Sequence, residues 1–380
     1  MIIRNLDAPR FYSLLRSVFG LRSNEGDCTI LIDLPTDKMP DGAEWKDRRR
    51  LAMEWYGLLR EAGKGLPFAA VNCVAYDCVG LNNGPLPDEV TLVERFPRDP
   101  ALSLPGKMAL SGILKTSTVV LAVTELSATA PLKLLAREYR FRGATLPGFT
   151  RSMIPALELD YSAVNARVVQ VKTLLDRAVK AKIRLRAMER IFQSTLDLRF
   201  RTAHASGGIL NEEGVVGNLP SGEAYIVPYE GENPDIASET EGLLPVQFDE
   251  EVVVFRLEGN RAVGVMTEGP HSVLQRAKLA REPAYGNIAE LGIGVLGEWG
   301  VRGVGSTLLD EKLGLHVAFG RSDHFGGSTS PASFRNPENV VHVDWVYVPS
   351  VQPLIQAEEV VLQYPSGKTQ VLIRSGKLLA

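Results

Sequence analysis

Toward its C-terminal end the chain carries side chains that suit metal ions. Three of its five histidines, His316, His324 and His342, fall within residues 316 to 342, and Asp344 follows His342 by two positions. Residues 340–348, VVHVDWVYV, are rich in β-branched and aromatic types, which predicts a strand. On a strand, residues i and i+2 share a face, so His342 and Asp344 project side by side. Residues 315–319, LHVAF, predict a second short strand, closed by Gly320 and carrying His316. Imidazole with carboxylate is a donor set for zinc, iron, manganese or cobalt. Each position keeps a plainer alternative, since a strand histidine can be a hydrogen-bonded core residue and a His-x-Asp pair can be structural.

The elements that would position these groups divide by texture. Residues 28–33, CTILID, form a buried-strand run, and a helix follows with Leu51, Trp55, Leu58 and Leu59 on one face. Residues 68–75 and 118–124 are further strands, and Pro131 suits the first turn of another helix. This alternation predicts βαβ units, a mostly parallel sheet with helices on both faces. A longer helix carries the apolar stripe Val164, Val168, Val171, Leu175 and Ala178, with Arg177, Lys180 and Lys182 near its negative end. Residues 183–186 and 196–201 alternate like half-exposed strands. Beyond about residue 200, short β-like runs such as 250–257 and 261–266 are separated by Gly, Pro, Asn and acidic residues. The expected architecture is an α/β N-terminal domain, residues 1–200, and a β-rich α+β metal-binding domain, residues 201–380.

Composition sets the surroundings. At 380 residues, two domains are the better expectation than one. With 45% hydrophobic and 23% charged residues, the chain has the make-up of a globular protein. A formal net charge of -3 and the lack of a long basic stretch argue against nucleic acid as a partner. Cys28, Cys73 and Cys78 are odd in number and lack CxxC spacing, so they are expected as reduced thiols. No segment has the length and apolarity of a signal peptide or a membrane span, and the cytoplasm is the expected compartment.

Four segments, in order, resemble one family. Residues 218–228, NLPSGEAYIVP, residues 288–294, IAELGIG, residues 310–320, DEKLGLHVAFG, and the closing His342-Val343-Asp344 are similar to motifs of the thermophilic metallo-aminopeptidases, the aminopeptidase T/aminopeptidase S group. Weaker likeness extends upstream through residues 195–200 and 159–161. The resemblance implies five metal ligands, Glu223, Glu290, His316, His342 and Asp344, around two divalent ions (zinc, cobalt or manganese), with Glu290 as the bridge. It also implies release of N-terminal residues from short peptides, by homodimers that enclose the site. The donor inventory suits that reading, because three carboxylates neutralise much of two dications and two such ions can polarise a scissile carbonyl.

The family pattern leads one to expect a tyrosine soon after the first histidine ligand, and none lies between His316 and His342. His324 stands in that loop and could donate to an oxyanion or act as acid or base. Glu311 suits a general base, although Asp310-Glu311 equally fits an exposed acidic turn. A related branch cleaves dihydroxypyridine rings with one ferrous ion held by two histidines and an aspartate, and His316, His342 and Asp344 would satisfy that arrangement. The missing tyrosine also leaves open a metal-binding protein of the same fold without peptidase turnover. Residues 292–297, GIGVLG, match GxGxxG, but Gly300, Gly303 and Gly305 spoil the helix that a dinucleotide would need. His204 and His271 lie in no motif and are expected at the surface.

Overall fold

The computed structural model describes residues 5–62, 65–93 and 106–379. They form two compact units, one from residues 1–163 and 208–221, the other from residues 164–207 and 222–380. The composition places one boundary near residue 200, whereas strand pairing divides the chain in three places.

The first unit holds a seven-stranded sheet. Its strands are β1 (Asp27–Leu34), β2 (Val71–Asp77), β3 (Glu89–Leu92), β4 (Lys107–Ala109), β5 (Ser117–Val123), β6 (Arg142–Thr145) and β10 (Val216–Asn218), ordered β10-β6-β5-β1-β2-β3-β4. From β10 to β2 every neighbour is parallel, and β3 and β4 add an antiparallel edge. Six consecutive residues of β1 are buried, the signature of a strand covered on both faces. Helices Ala43–Glu61 and Thr129–Tyr139 flank the sheet and bury Trp45, Leu51 and Trp55, and Leu132 and Ala136. Cys28, Cys73 and Cys78 are free and buried.

The second unit is β-rich. An eight-stranded sheet runs through β7 (Lys180–Ala187), β8 (Arg190–Asp197), β12 (Glu241–Phe248), β13 (Glu251–Glu258), β14 (Arg261–Val265), β18 (Gln356–Gln363), β19 (Thr369–Arg374) and β20 (Lys377–Leu378). A five-stranded sheet, ordered β17-β16-β15-β11-β9, contains β9 (His204–Ser206), β11 (Glu223–Ile226), β15 (Ile288–Gly294), β16 (Leu315–Gly320) and β17 (His342–Val346). The β7–β8 hairpin pairs with β18 and β12, which draws residues 180–197 into this unit. β10, only nineteen positions beyond Asp197, lies parallel to β6 in the other. The hairpin turns on Met188 and Glu189, at φ 49° and 57°. Two left-handed residues match the twist of a tight hairpin. Neither is glycine or asparagine, so the sequence does not announce the turn, and β8 starts earlier than the expected strand at 196. No helix among the described residues is long and apolar enough to cross a membrane.

Candidate metal centre

The five-stranded sheet separates its chemistry by face. Ala224, Ile226, Leu291, Ile293, Leu315, Val317 and Phe319 alternate onto one side and are all buried. The other side carries polar groups in register. Glu223 lies between Ser206 and Gly294, and Tyr225 between His204 and Gly292. Gly292 faces His316, Glu290 and Asp344 both face Ala318, and Gly320 faces His342. Steps of two along each strand keep all these positions on one face. The sheet thus brings together Glu223, Glu290, His316, His342 and Asp344.

Glu290 is the hub of this cluster. His316 Nε2 lies 3.1 Å from Glu290 Oε1, and His342 Nε2 lies 3.5 Å from Glu290 Oε2. His342 Nε2 is also 3.5 Å from Asp344 Oδ1, and His316 Nε2 is 3.4 Å from Glu223 Oε2. The donors gather as two sets, Glu223 with Glu290 and His316, and Glu290 with His342 and Asp344, each with atoms within 4.8 Å of one another. His316 and His342 fall in different sets, and Glu290 is common to both.

The donor atoms are aimed as ligands would be. His316 Nδ1 sits 3.3 Å from the Gly314 carbonyl and His342 Nδ1 sits 2.8 Å from the Arg321 carbonyl. A carbonyl on Nδ1 holds that nitrogen as the N–H, so loss of the Nε2 proton would free its lone pair for a cation. Glu223 Oε2 is buried and accepts no hydrogen bond among the described residues. A buried carboxylate oxygen without a donor is costly, and a cation would satisfy it. The set fits one or two divalent ions.

Electrostatics follow from this crowding. Burial alone would raise Glu290, but hydrogen bonds from His316 and His342 more than offset it and hold the carboxyl well below its ordinary range. Burial opposes charge on His316, yet Glu290 and Glu223 push the imidazole up to about 9. Burial likewise opposes charge on His342, and Asp344 and Glu290 raise it well above the ordinary value. The carboxylates therefore demand positive charge.

Part of that charge comes from a lysine that the motif reading passed over. Lys312 is 1% exposed and its Nζ donates to Glu223 Oε1 at 2.5 Å and to Glu311 Oε1. It occupies one oxygen of Glu223 and leaves Oε2 toward His316. Burial, with the charges of Glu223 and Asp344 added, pushes Glu311 up to about 8 despite the ammonium beside it. Asp310 is instead a buried structural residue, accepting from the backbone N–H groups of Val304 and Gly305 at 2.8 and 2.9 Å. The two acidic residues of the DEK segment thus have separate tasks.

Rings line one side of the cluster. His324 sits in the 3-10 turn Asp323–Phe325 with its ring centroid 5.4 Å from that of His342, and Phe325 lies 5.5 Å from His342. Burial and the His342 charge push His324 down to about 4, so it is neutral near pH 7. His204 is not a free surface residue, because it is half-buried, stacks on Tyr225 and approaches the Phe325 carbonyl at 2.9 Å. Tyr225 went unnoticed in the sequence, yet the spacing Glu223, Tyr225 on one strand was the signal. Burial first, then the charges of Glu290 and Glu223, raise its phenol well above the ordinary value.

The GxGxxG match has a steric explanation. Gly292 and Gly294 lie within β15. A Cβ at Gly292 would overlap the His316 imidazole, with Nε2 the first atom met, and one at Gly294 would strike the Lys312 backbone. Gly292→Ala should therefore displace His316 and weaken divalent-ion binding by at least about tenfold in calorimetric titration, a cost of about 1.4 kcal/mol. Parental affinity in a folded Gly292→Ala protein would contradict the assigned place of His316.

No protein-family model matches the chain, and no curated protein matches it. Solved structures do. The 2,5-dihydroxypyridine dioxygenase of Pseudomonas putida KT2440 is similar with a TM-score of 0.61 and 15% identity, over 98% of this chain and 96% of that one. AmpT from Thermus thermophilus, an aminopeptidase, is similar with a TM-score of 0.57 and 15% identity, over 98% of each chain. The likeness lies in the fold, a two-part α/β and β-rich arrangement that this chain has in common with both.

Proposed function

We propose that this chain is a metal-dependent aminopeptidase-like hydrolase that removes N-terminal residues from short peptides. Two divalent ions, zinc, cobalt or manganese, would be held by Glu223, Glu290 and His316 on one side and Glu290, His342 and Asp344 on the other. The observation that carries this reading is the position of Glu290, which offers one oxygen toward each histidine. Bound there, the ions would polarise the scissile carbonyl and lower the pKa of a water.

The protein's own groups complete the assignment. Glu311, buried beside the Lys312 ammonium, would in its ionised form take a proton from the attacking water and return it to the leaving amine. Lys312 keeps Glu223 in place and balances its charge. His324, neutral and beside His342, is a candidate donor at the rim of the site. The family resemblance adds a homodimer to the proposal.

The second reading is a ring-cleaving dioxygenase with one ferrous ion, supported by the similarity in fold to the dihydroxypyridine enzyme. It needs His316, His342 and Asp344 around one centre, whereas the two histidines belong to separate donor sets. Elemental analysis of protein purified without added metal tests the choice. Two ions per chain support the hydrolase, and one ferrous ion with oxygen uptake on a dihydroxypyridine supports the dioxygenase.

An aminopeptidase should also read the substrate amine. Acetylating a peptide's N-terminus converts a ligating amine to an amide without a basic lone pair. Release of amino acids, followed by chromatography with zinc, cobalt or manganese supplied, should drop at least about a hundredfold, or about 2.7 kcal/mol. Equal rates on free and acetylated peptides would rule out the exopeptidase assignment.

A further inference from the structure

The rings beside the cluster form a clamp around one phenol. Tyr225 follows Glu223 by two residues on β11, so both face the same way. Directly across from it lies Gly292, and across from Gly292 lies His316. Gly292 has no side chain, and the His316 imidazole occupies the space over it, so no side chain of β15 stands between Tyr225 and that ring at this register. Glu290 lies two residues from Gly292 on the same face.

The ring of Tyr225 is fixed on two sides. His204 stacks on it with centroids 5.2 Å apart and planes at 24°, and Phe325 meets it edge-on at 4.8 Å and 63°. His204 is held in turn by the Phe325 carbonyl at 2.9 Å. The Tyr225 hydroxyl itself has no hydrogen-bond partner among the described residues. A rigidly placed donor without a partner, on the ligand face of the sheet, is available to a substrate.

Resting on the hydrolase reading above, we propose that Tyr225 is a catalytic hydrogen-bond donor to the oxygen of the scissile carbonyl. As water adds to the carbonyl carbon, a C–O bond forms, a water proton passes to Glu311 and the π pair moves onto the carbonyl oxygen; on collapse that pair re-forms the C=O bond, the C–N bond breaks and the amine leaves with the proton from Glu311. The Tyr225 O–H stabilises the new negative charge and keeps its own proton throughout. Donors aimed at charge that develops in the transition state contribute more than donors to the ground state. Tyr225 is placed on a strand between two packed rings, whereas His324 lies in the short 3-10 turn Asp323–Phe325.

Tyr225→Phe tests this with little risk to the fold, because the ring and its packing remain. In the zinc-loaded full chain, kcat on a free-amine peptide should fall by on the order of 10²- to 10³-fold, with KM and bound zinc unchanged. Calorimetric binding of the α-aminophosphonate analogue of leucine, a stable tetrahedral mimic, should weaken by a similar factor, while binding of leucine should not change. Parental kcat and phosphonate affinity in Tyr225→Phe, with peptide hydrolysis intact, would overturn this role and leave the hydrolase reading standing. Lost zinc would overturn it in favour of a structural role. A large effect in His324→Gln with none in Tyr225→Phe would overturn it in favour of the histidine. If the parent protein neither cleaves free-amine peptides nor binds the phosphonate, the hydrolase reading falls and takes this role with it.

Discussion

Glu290→Gln should lower the ion content from two per chain toward one and reduce peptide hydrolysis by at least about a thousandfold, or about 4 kcal/mol. The substitution preserves volume and removes one negative charge from the point where both donor sets meet. Two dications about 4 Å apart at an effective dielectric near 20 repel by roughly 16 kcal/mol before their ligands are counted. A shared carboxylate offsets repulsion on both sides at once, which no terminal ligand can do. Glutamine also disturbs the orientation of both imidazoles, because each Nε2 now faces a group that is half donor and half acceptor. Elemental analysis after dialysis gives the ion count directly. Two ions retained in a folded Glu290→Gln protein would sink the bridging role. One ion present in parent and variant alike would instead point to the mononuclear centre, in which Glu290 has no part.

Sequence and structure agree where local periodicity decides the geometry. His342 and Asp344 share a face because a strand repeats every two residues, and VVHVDWVYV announces a strand. β1 was legible because a strand covered on both faces needs an unbroken apolar run. Glu223 and Glu290 are different. A carboxylate beside a glycine turn is usually solvated, and only the order of the four motifs distinguished them. Lys312 was invisible for a related reason, since a lysine in a short acidic turn ordinarily reaches solvent. Its burial depends on Glu223, 89 positions earlier, lying within reach of its ammonium. Gly292 could not be understood before the register of β15 against β16 was known, because the atom that forbids a Cβ there belongs to His316. The domain division failed for a topological reason. Composition averages over a window, whereas β10 contributes only three residues to the parallel sheet before the chain leaves it again.

Lys312→Met should destabilise the protein by about 3–5 kcal/mol, the largest effect on folding expected from a single substitution at this site. The ammonium is fully enclosed and bonded to two carboxylates, Glu223 and Glu311. Methionine fills similar space but leaves those carboxylates buried beside Glu290 and Asp344 with one less positive charge. Removing one partner of a buried ionic group exposes the full desolvation cost of what is left, which exceeds the net worth of the intact group. Two controls separate charge from packing. Saturating zinc should restore part of the loss, because a dication supplies charge to the same carboxylates and binds only the folded chain. The double variant Lys312→Met with Glu223→Gln should recover a further part, because it deletes a negative charge along with the positive one. Urea unfolding of the four proteins in the resulting cycle, with and without zinc, measures the coupling between the two residues. A loss below about 1 kcal/mol in Lys312→Met, or additive effects in the double variant, would mean that the lysine does not balance Glu223.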